Sequence, residues 1–538
     1  MNGYTETESI HTTFAQLWSG TVDAHADATF LIFRNTDGST TSWTYSKFDA
    51  LVAHTARFLS TRGVSRGDAV HLALKNSPAF IALWLAAARL GAWIVTVDPA
   101  STARDITSQL QRTSPVIGFC AQSRSEVYGL AANGLLAVVI ELEETAADLL
   151  SGSALLTEST PTSDAPLVSV PEVEGHDRLA VMFTSGTTSA PKGVVLTQQN
   201  YRFVSEAMSS VIDLRPEHRW LVTLPLFHAN AQFYCFGPAI AVGASVALSA
   251  SFSASGWIRQ AAELGATHAS LFAAPIRMII ARRPADAPAL KLEHVWFAQS
   301  LGESHYAEFA EIVGCRPRQL YGMTETTAVV TADMSPNPRH DVIGSPANSR
   351  TVELRDTVTG IVVEPGTPGV ITVAGTRGVD LFDEYLEDPT TTDRTFSVEQ
   401  GRTWLSTGDL AIEDFDGNYR FVGRIDDVIK VAGENVSLTE IEAALAQAPG
   451  ILEVAVLAKP DPIRDQVPVA FVVARDQSNP PRIDQLEEWA ARNLPPQSRP
   501  REWSIIKELP RTSVGKIRRF KLGAESEKSM PAEAVVPA

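Results

Sequence analysis

The sequence predicts an α/β protein with a large N-terminal domain of layered parallel α/β subdomains, a small β-barrel or sandwich and a smaller α+β C-terminal domain. Three observations predict this architecture. Residues 40–180 alternate helical apolar spacing with short β-branched runs such as 93–98 and 135–142, a pattern typical of helices layered on parallel strands. Residues 340–423 carry short strand-like runs between Gly, Pro and Asp turns. After Gly423 a charged turn leads through a strand to an amphipathic helix.

Two stretches of the sequence indicate which elements follow one another. The most apolar window, Phe80 to Val97, is interrupted by Arg89 and Gly91, so we expect a buried helix followed by a strand and no membrane span. Residues 151–174 are rich in Ser, Thr, Pro and acidic residues, which indicates a surface connection before a strand at 179–183.

Composition narrows the function classes. The chain of 538 residues has a net charge of −17, which opposes nonspecific binding to nucleic acid or to an anionic membrane. Its three cysteines form no CxxC pair, so neither a disulfide framework nor a zinc site is indicated. The N-terminal segment has no basic start and no apolar run, and we therefore expect a cytoplasmic protein.

The segment VMFTSGTTSAPKGVVLTQQNY (181–201) is an apolar strand that enters a loop of hydroxyls, glycines and a lysine. Such a loop can cradle a polyphosphate with backbone N–H groups, hydroxyl donors and a cation. It is not a Walker A loop, because Lys192 precedes Gly193 and no Ser or Thr follows the lysine. The candidate phosphate-binding residues are Thr184, Ser185, Gly186, Thr187, Thr188 and Lys192.

The C-terminal region concentrates positive charge. From Arg499 to Lys521 there are eight Lys or Arg residues and two Glu, a net charge of +6, whereas the remaining chain sums to −23. Pro495, Pro496 and Gly515 are interleaved with these charges, which indicates shaped loops. This region is the natural place for an anionic ligand to meet a cation.

The motif TSGTTSAPKG resembles the signature of the adenylate-forming superfamily, which includes acyl-CoA synthetases, adenylation domains of nonribosomal peptide synthetases, and luciferases. Four further segments match that family in its order: YGMTE (321–325), STGD (406–409), GRIDDVIKVAGENV (423–436) and RTSVGK (511–516). The segments LFDEYLEDPTTT (381–392) and DPIRDQVPVAFVV (461–473) most resemble the carnitine/crotonobetaine-CoA ligase branch.

The resemblance implies roles for the residues of these motifs. It places Tyr321 and Gly322 at the adenine, Thr324 at the α-phosphate, and Glu325 with Thr184 near Mg²⁺. It places Gly302, Glu303 and Ser304 along the adenine edge. Asp409 and Arg424 are the implied ribose contacts. Lys516 is the implied mobile catalytic lysine, which stabilises negative charge in the transition state.

The resemblance also implies a domain division. The N-terminal domain is expected over 1–424, with its β-barrel-like part at about 340–423. A hinge follows at 425–427, centred on Asp426, and a mobile C-terminal domain extends over 428–523. A flexible tail is expected at 524–538. Rotation about the hinge would bring Gly433 beside a pantetheine channel for the second half-reaction.

The segment LPLFHANAQFYCF (224–236) corresponds to the family's loop and helix that line the carboxylate pocket. Its i, i+4 spacing puts His228 and Gln232 on one helical face, with Asn230 nearby and Gln299 on another segment. This polar lining favours a small polar or aromatic acid. We expect His228 to shape a wall of the pocket, and FHAN offers no aspartate for an amino-acid substrate.

The resulting hypothesis is an ATP- and Mg²⁺-dependent ligase that converts an acid to an acyl adenylate, releases pyrophosphate and transfers the acyl group to coenzyme A. Two alternatives keep the first half-reaction: a diazotase-like enzyme that activates nitrite for an aromatic amine, and transfer to a carrier protein or amine. A non-catalytic regulator is disfavoured because Lys516, Glu325 and the phosphate loop are all present. The identity of the acid, its pathway and a homodimeric state are left open.

Overall fold

The structure is a computed structural model that describes residues 13–156, 172–184, 191–511, 517, 519 and 522. The strands are β1 Thr29–Arg34, β2 Thr40–Thr44, β3 Ala69–Ala73, β4 Trp93–Thr96, β5 Ile117–Ala121, β6 Val139–Leu142, β7 Arg178–Thr184, β8 Lys192–Thr197, β9 Arg219–Val222, β10 Ser245–Ser249, β11 His268–Phe272, β12 His294–Ala298, β13 Arg318–Tyr321, β14 Thr331–Ala332, β15 Ser345–Pro346, β16 Val352–Arg355, β17 Pro368–Gly375, β18 Phe396–Glu399, β19 Arg402–Glu413, β20 Tyr419–Arg424, β21 Val428–Val431, β22 Glu434–Ser437, β23 Ile451–Asp461, β24 Asp465–Ala474 and β25 Glu502–Ile506.

The α-helices are Phe14–Ala24, Tyr45–Thr61, Pro78–Leu90, Ala103–Thr113, Ser125–Ala132, Gln198–Val211, Ala229–Ala231, Gly237–Val242, Trp257–Glu263, Ala273–Ala281, Glu303–Val313, Pro389–Thr395, Leu438–Leu445 and Ile483–Asn493. A π-helix spans Gln232–Phe236.

Two large sheets form the N-terminal part. One has the strand order β6-β5-β3-β4-β7-β8 and is parallel except for the β7–β8 pair. The other has the order β15-β14-β13-β12-β11-β9-β10-β1-β2, with parallel pairing from β13 to β1 and antiparallel strands at both edges. The predicted layered α/β class is confirmed.

The helix Pro78–Leu90 packs in the core that the two large sheets share. All its residues except Arg89 are buried, and Trp84 stacks on Phe14 with ring centroids 5.3 Å apart. Ser77 caps its first turn by accepting from the Phe80 N–H, and Gly91 ends it in the left-handed region with φ 66°. The apolar window is thus the predicted buried helix, followed by β4. No helix in the described part of the chain is long and apolar enough to cross a membrane.

The β-rich unit predicted after residue 340 is a five-stranded antiparallel sheet. Its order is β16-β17-β19-β18, with β20 paired to β19. The long strand β19 joins the unit to the functional site, because its register places Asp409 opposite Arg424 on β20.

The C-terminal unit is a second five-stranded sheet, of order β22-β21-β24-β23, with β25 parallel to β24. Ile441 and Leu486, from the helices Leu438–Leu445 and Ile483–Asn493, pack in its apolar core. A 3-10 turn, Ile425–Asp427, connects β20 to β21, where the sequence predicts a hinge. The domain limits and the motion remain predictions, and the expected tail at 524–538 lies outside the described residues.

Gly344 offers a test of the packing behind the functional site. Its φ is +79°, and an added Cβ would lie 1.9 Å from the Ala332 carbonyl carbon on β14. Gly360 has a similar φ of +69° with nothing within 4 Å of an added Cβ. We expect the melting temperature of Gly344→Ala to lie at least about 4 °C below that of Gly360→Ala. Both substitutions put an alanine in the left-handed region, and only the one at Gly344 also brings a Cβ against Ala332. Equal melting temperatures in scanning fluorimetry would contradict this packing.

Candidate active site

The site begins at the carboxyl ends of three neighbouring parallel strands, where α/β sheets bind ligands. Strand β11 ends at Phe272, β12 is followed by the loop 299–302, and β13 ends at Tyr321. The YGMTE segment therefore lies beside the loop that the sequence predicts for the adenine edge.

Tyr321 and Asp409 are joined directly. The Tyr321 hydroxyl donates to Asp409 Oδ2 at 2.7 Å, and both residues are buried. Burial raises the pKa of Tyr321 well above its usual value, and the Asp409 carboxylate raises it further. The phenol therefore remains a donor, and it orients the carboxylate that the resemblance assigns to the ribose.

Arg424 supplies positive charge to the same place. Its Nε lies 3.5 Å from Asp409 Oδ1, in the cross-strand position set by the β19–β20 register. Burial acts to lower the pKa of Arg424, but the carboxylates around it, led by Asp409 and including Glu325, raise it overall. The guanidinium is therefore held charged by the carboxylates of Asp409, Asp426, Asp427 and Glu325.

Glu325 is a buried carboxylate in the 3-10 turn Thr324–Thr326. Tyr385 donates a hydrogen bond to its Oε1 at 3.0 Å. Burial raises the pKa of Glu325, and the Tyr385 hydrogen bond and the Arg424 charge oppose that rise. A buried carboxylate with a raised pKa is one that a further cation would stabilise in its ionised form.

Lys192 lies over the ring of Tyr385. Its Nζ is 5.0 Å from the centroid of the Tyr385 ring, and Thr184 Oγ1 donates to the Lys192 carbonyl at 3.5 Å. The segment around Tyr385 is held against β8 by hydrogen bonds such as that from the Leu386 N–H to the Gly193 carbonyl. Tyr385 thus connects the phosphate-loop lysine to Glu325.

Some predicted residues cannot be placed. Ser185, Gly186, Thr187 and Thr188 of the phosphate loop lie outside the described residues, and so does Lys516.

The residues present fit a magnesium ion held jointly with substrate. Mg²⁺ in nucleotide enzymes is usually bound by one or two carboxylates together with phosphate oxygens. No group of three or more His, Cys, Asp or Glu able to hold a metal occurs within the described ranges, whereas Glu325 offers one buried carboxylate. Glu325 and the Thr184 hydroxyl would hold the ion, which would neutralise phosphate charge.

The C-terminal unit contacts the loop after β12. Gly302 caps the helix Glu303–Val313, and an added Cβ would lie 3.9 Å from Gln447 Cγ. Burial, and then the charges of Arg277 and Arg475, lower the pKa of His305 to about 4, so its ring is neutral at pH 7. Its Nε2 can therefore accept a hydrogen bond, which Arg475 donates at 2.9 Å. Glu303 and Ser304 are exposed.

The predicted pocket helix differs from a regular α-helix. His228 is not helical but caps the turn Ala229–Ala231, with φ −109°, and Gln232 begins the π-helix. The expected i, i+4 face of these two residues is therefore wrong. His228 stands edge-on to Phe272, with ring centroids 6.0 Å apart, which suits the wall position that the sequence predicts.

The polar side chains predicted for the pocket differ in burial and in hydrogen bonding. Gln232 is fully buried; its Oε1 accepts from the Tyr201 hydroxyl, and its Nε2 donates to the Leu226 carbonyl, each at 2.6 Å. Its amide therefore braces the pocket scaffold. Asn230 is buried, and its Oδ1 has no partner among the described residues. Gln299 is exposed, with φ 74°, directly after β12.

Two further predicted residues lie in the C-terminal connection. Asp426 is in the exposed part of the 3-10 turn, and its charge acts on Arg424. Gly433 forms the exposed turn between β21 and β22 with φ +87°, and nothing lies within 4 Å of an added Cβ.

Two arginines of the C-terminal basic cluster form ion pairs within the C-terminal unit. Arg511 pairs with Glu453, and Arg519 pairs with Glu442 at 2.7 Å and with Asp427 at 3.4 Å. Part of its positive charge therefore stabilises the C-terminal unit itself.

Tyr385 is a site residue that the sequence analysis missed. It stands in the segment LFDEYLEDPTTT, which served only to choose a branch of the family. A lone tyrosine in an acidic segment carries no chemical signal, and only the pairing of residues 384–386 with β8 brings it to Glu325 and Lys192.

Comparison with known proteins agrees with this geometry. The AMP-binding enzyme family model matches residues 19–386, and the model of the AMP-binding enzyme C-terminal domain matches residues 440–516. A crotonobetaine/carnitine–CoA ligase of Salmonella paratyphi A is 30% identical over 512 residues, which are 93% of this chain and 97% of that protein.

The chain belongs to the AMP-binding enzyme family. It is an ATP-dependent adenylate-forming ligase.

Solved structures show the same fold for this AMP-binding enzyme. The anthranilate CoA ligase AuaEII in complex with anthranoyl-AMP aligns with a TM-score of 0.83 at 22% identity, covering 96% of this chain and 97% of that one. A benzoate CoA ligase from Burkholderia xenovorans aligns with a TM-score of 0.81 at 21% identity, covering 95% and 99%.

The role of Arg424 in this AMP-binding enzyme can be tested against a neighbour on the same strand. Arg424→Met leaves Asp409 and Glu325 without their shared cation, so we expect kcat/KM for ATP to fall about 100-fold. Arg420→Met removes only an exposed ion pair with Glu440 at 3.1 Å and should change the value less than about 2-fold. Initial rates over a range of ATP concentrations measure both. Equal losses in the two variants would rule out a special role for Arg424.

Proposed function

We propose that the protein activates a small polar or aromatic carboxylic acid as an acyl adenylate, with release of pyrophosphate, and transfers the acyl group to coenzyme A. The observation that carries the proposal is the buried Asp409 carboxylate 3.5 Å from Arg424, whose charge also acts on the buried Glu325 of a separate motif. Such an arrangement suits a nucleotide whose ribose is bound near Asp409 and whose phosphates are bound near Glu325.

The candidate site residues have separate roles in the first half-reaction. Asp409, oriented by the Tyr321 hydroxyl, accepts hydrogen bonds from ribose hydroxyls. Lys192 holds the departing phosphates, and Lys516 stabilises the negative charge that develops as the acid's carboxylate attacks the α-phosphate. Glu325 and Thr184 would hold Mg²⁺, which would supply neutralisation of phosphate charge. These groups act by position and charge, so no covalent enzyme intermediate is needed.

The class of acid is supported by the pocket residues. His228 and Phe272 form an edge-to-face pair. The Oδ1 of Asn230, which has no hydrogen-bond partner within the described part of the chain, is an acceptor for an O–H or N–H group of a polar acid. Similar proteins are named for small polar or aromatic acids: a crotonobetaine/carnitine–CoA ligase, an anthranilate CoA ligase and a benzoate CoA ligase. Cys235 takes no part, because burial raises the pKa of its thiol.

Coenzyme A is the acceptor that these names favour, over a carrier protein, an amine or activated nitrite. Gly433 forms the β21–β22 turn that the resemblance assigns to the pantetheine channel, and its left-handed φ of +87° suits glycine. We propose that rotation at 425–427 brings this turn to the adenylate for the second half-reaction.

Pyrophosphate release over a panel of acids tests the proposal. We expect release to require ATP, Mg²⁺ and one class of small acid, and to be followed by thioester formation when coenzyme A is added. Lys516→Ala should slow pyrophosphate release about 100- to 1,000-fold, while coenzyme A still reacts with a supplied acyl adenylate.

Lys507→Ala is the matched control for this experiment. It removes one cation of the same basic segment at an exposed position, and its rates should stay near those of the wild type. Normal adenylation by Lys516→Ala, or pyrophosphate release without any acid, would refute the assigned mechanism.

A further inference from the structure

Arg350 is a buried guanidinium with donors left over. It follows β15 and is 8% exposed. Its Nη2 donates to the Thr326 carbonyl, whereas Nε and Nη1 are buried with no partner among the described residues. A guanidinium carries five N–H donors, and a buried donor without a partner costs about 1–3 kcal/mol. Such a group is usually explained by a ligand, an ion or a water that the site holds.

The backbone on both sides of this contact is strained. Asn348 and Ser349 both adopt the left-handed region, with φ 51° and 57°, immediately before Arg350. On the other side, Thr327 follows the accepting carbonyl and has φ 58° and ψ −73°. Non-glycine residues in such conformations are costly and cluster at ligand-binding sites. Two strained turns therefore meet where Arg350 contacts the YGMTET segment.

The surroundings connect Arg350 to the acid pocket. Its guanidinium lies over the Phe203 ring at 5.4 Å, and its charge acts on Tyr234, which belongs to the π-helix of the pocket segment. The Tyr234 hydroxyl in turn lies beside Gly322, since a Cβ added there would be only 2.7 Å from it. Tyr234, on which the Arg350 charge acts, thus lies against the nucleotide motif at Gly322.

Asp380 is the carboxylate in the neighbourhood, and it does not occupy the spare donors. Its charge acts on Arg350, but Oδ1 accepts from the Thr376 N–H, and Nε and Nη1 of Arg350 have no hydrogen-bond partner among the described residues. An ion pair with Asp380 alone therefore leaves the guanidinium unsatisfied.

We propose that Arg350 is a specificity residue that binds a second carboxylate on the acid substrate, at the end remote from the carboxylate that is adenylated. Arg is suited to this task because its planar fork matches carboxylate geometry. The inference rests on the proposed function and narrows its substrate class to acids with a second anionic group.

The experiment compares matched acids that differ only in the remote group: terephthalate with 4-carbamoylbenzoate, and succinate with succinamate. Pyrophosphate release gives kcat/KM for each. We expect the wild type to prefer the diacid of the better series by about 10- to 100-fold, the value of one charged hydrogen-bonded contact. Arg350→Met should bring that ratio to about 1, because it lowers kcat/KM for the diacid more than for the amide.

Two further variants separate specificity from folding. Arg350→Lys keeps the charge without the fork and should retain part of the preference. Arg355→Met removes the pairs of a nearby arginine with Glu353 and Glu399 and should leave the ratio unchanged. If Arg350→Met fails to fold, two other measurements test the inference. The diacid-to-amide ratio of kcat/KM should be lower in Arg350→Lys than in the wild type, and the diacid should raise the melting temperature of the wild type more than the amide does.

Several results would overturn the inference. If the wild type adenylates monoacids and amides as well as it does diacids, Arg350 binds no second carboxylate, although the proposed function stands. Equal losses with diacid and amide in both Arg350 variants would mean a purely structural role. If no acid supports pyrophosphate release, the proposed function itself fails, and this inference fails with it.

Discussion

The charge balance around Arg424 is the constraint on which the site depends. Asp409 and Glu325 are both buried, and a buried carboxylate is costly unless a nearby cation stabilises its charge. The β19–β20 register places Arg424 opposite Asp409, and its charge also acts on Glu325. A shift of this register by one residue would turn the guanidinium to the other face of the sheet. Strand pairing in the β-rich unit is therefore a condition for this charge balance.

Tyrosines complete the site with hydrogen bonds. Tyr321 donates to Asp409, and Tyr385 donates to Glu325, so each carboxylate has its own phenol. Burial raises the pKa of both phenols, which keeps them protonated and able to donate. This pairing orients the two carboxylates before substrate arrives, and preorganised groups of this kind need little rearrangement during the reaction.

Because the chain has a net charge of −17, an anionic ligand can be bound only where positive side chains are concentrated. Arg424 and Lys192 stand at the site, whereas Arg511 and Arg519 are engaged by Glu453 and Glu442 within the C-terminal unit. A cation acts over a short range in salt solution. Its partners therefore decide whether it contributes to ligand binding or to the stability of a domain.

The sequence by itself determined the α/β class, the buried helix before β4 and the motifs that carry Tyr321, Glu325 and Asp409. These features depend on local apolar spacing and on short contiguous patterns, which need no knowledge of distant contacts. Only the tertiary structure decided that Gln232 braces the pocket scaffold, that the pocket segment contains a π-helix, and that Tyr385 and Arg350 contact the YGMTET segment. Those outcomes arise from pairings between residues far apart in the chain, where hydrogen bonding and burial outweigh local preference, and spacing within one segment carries no record of them.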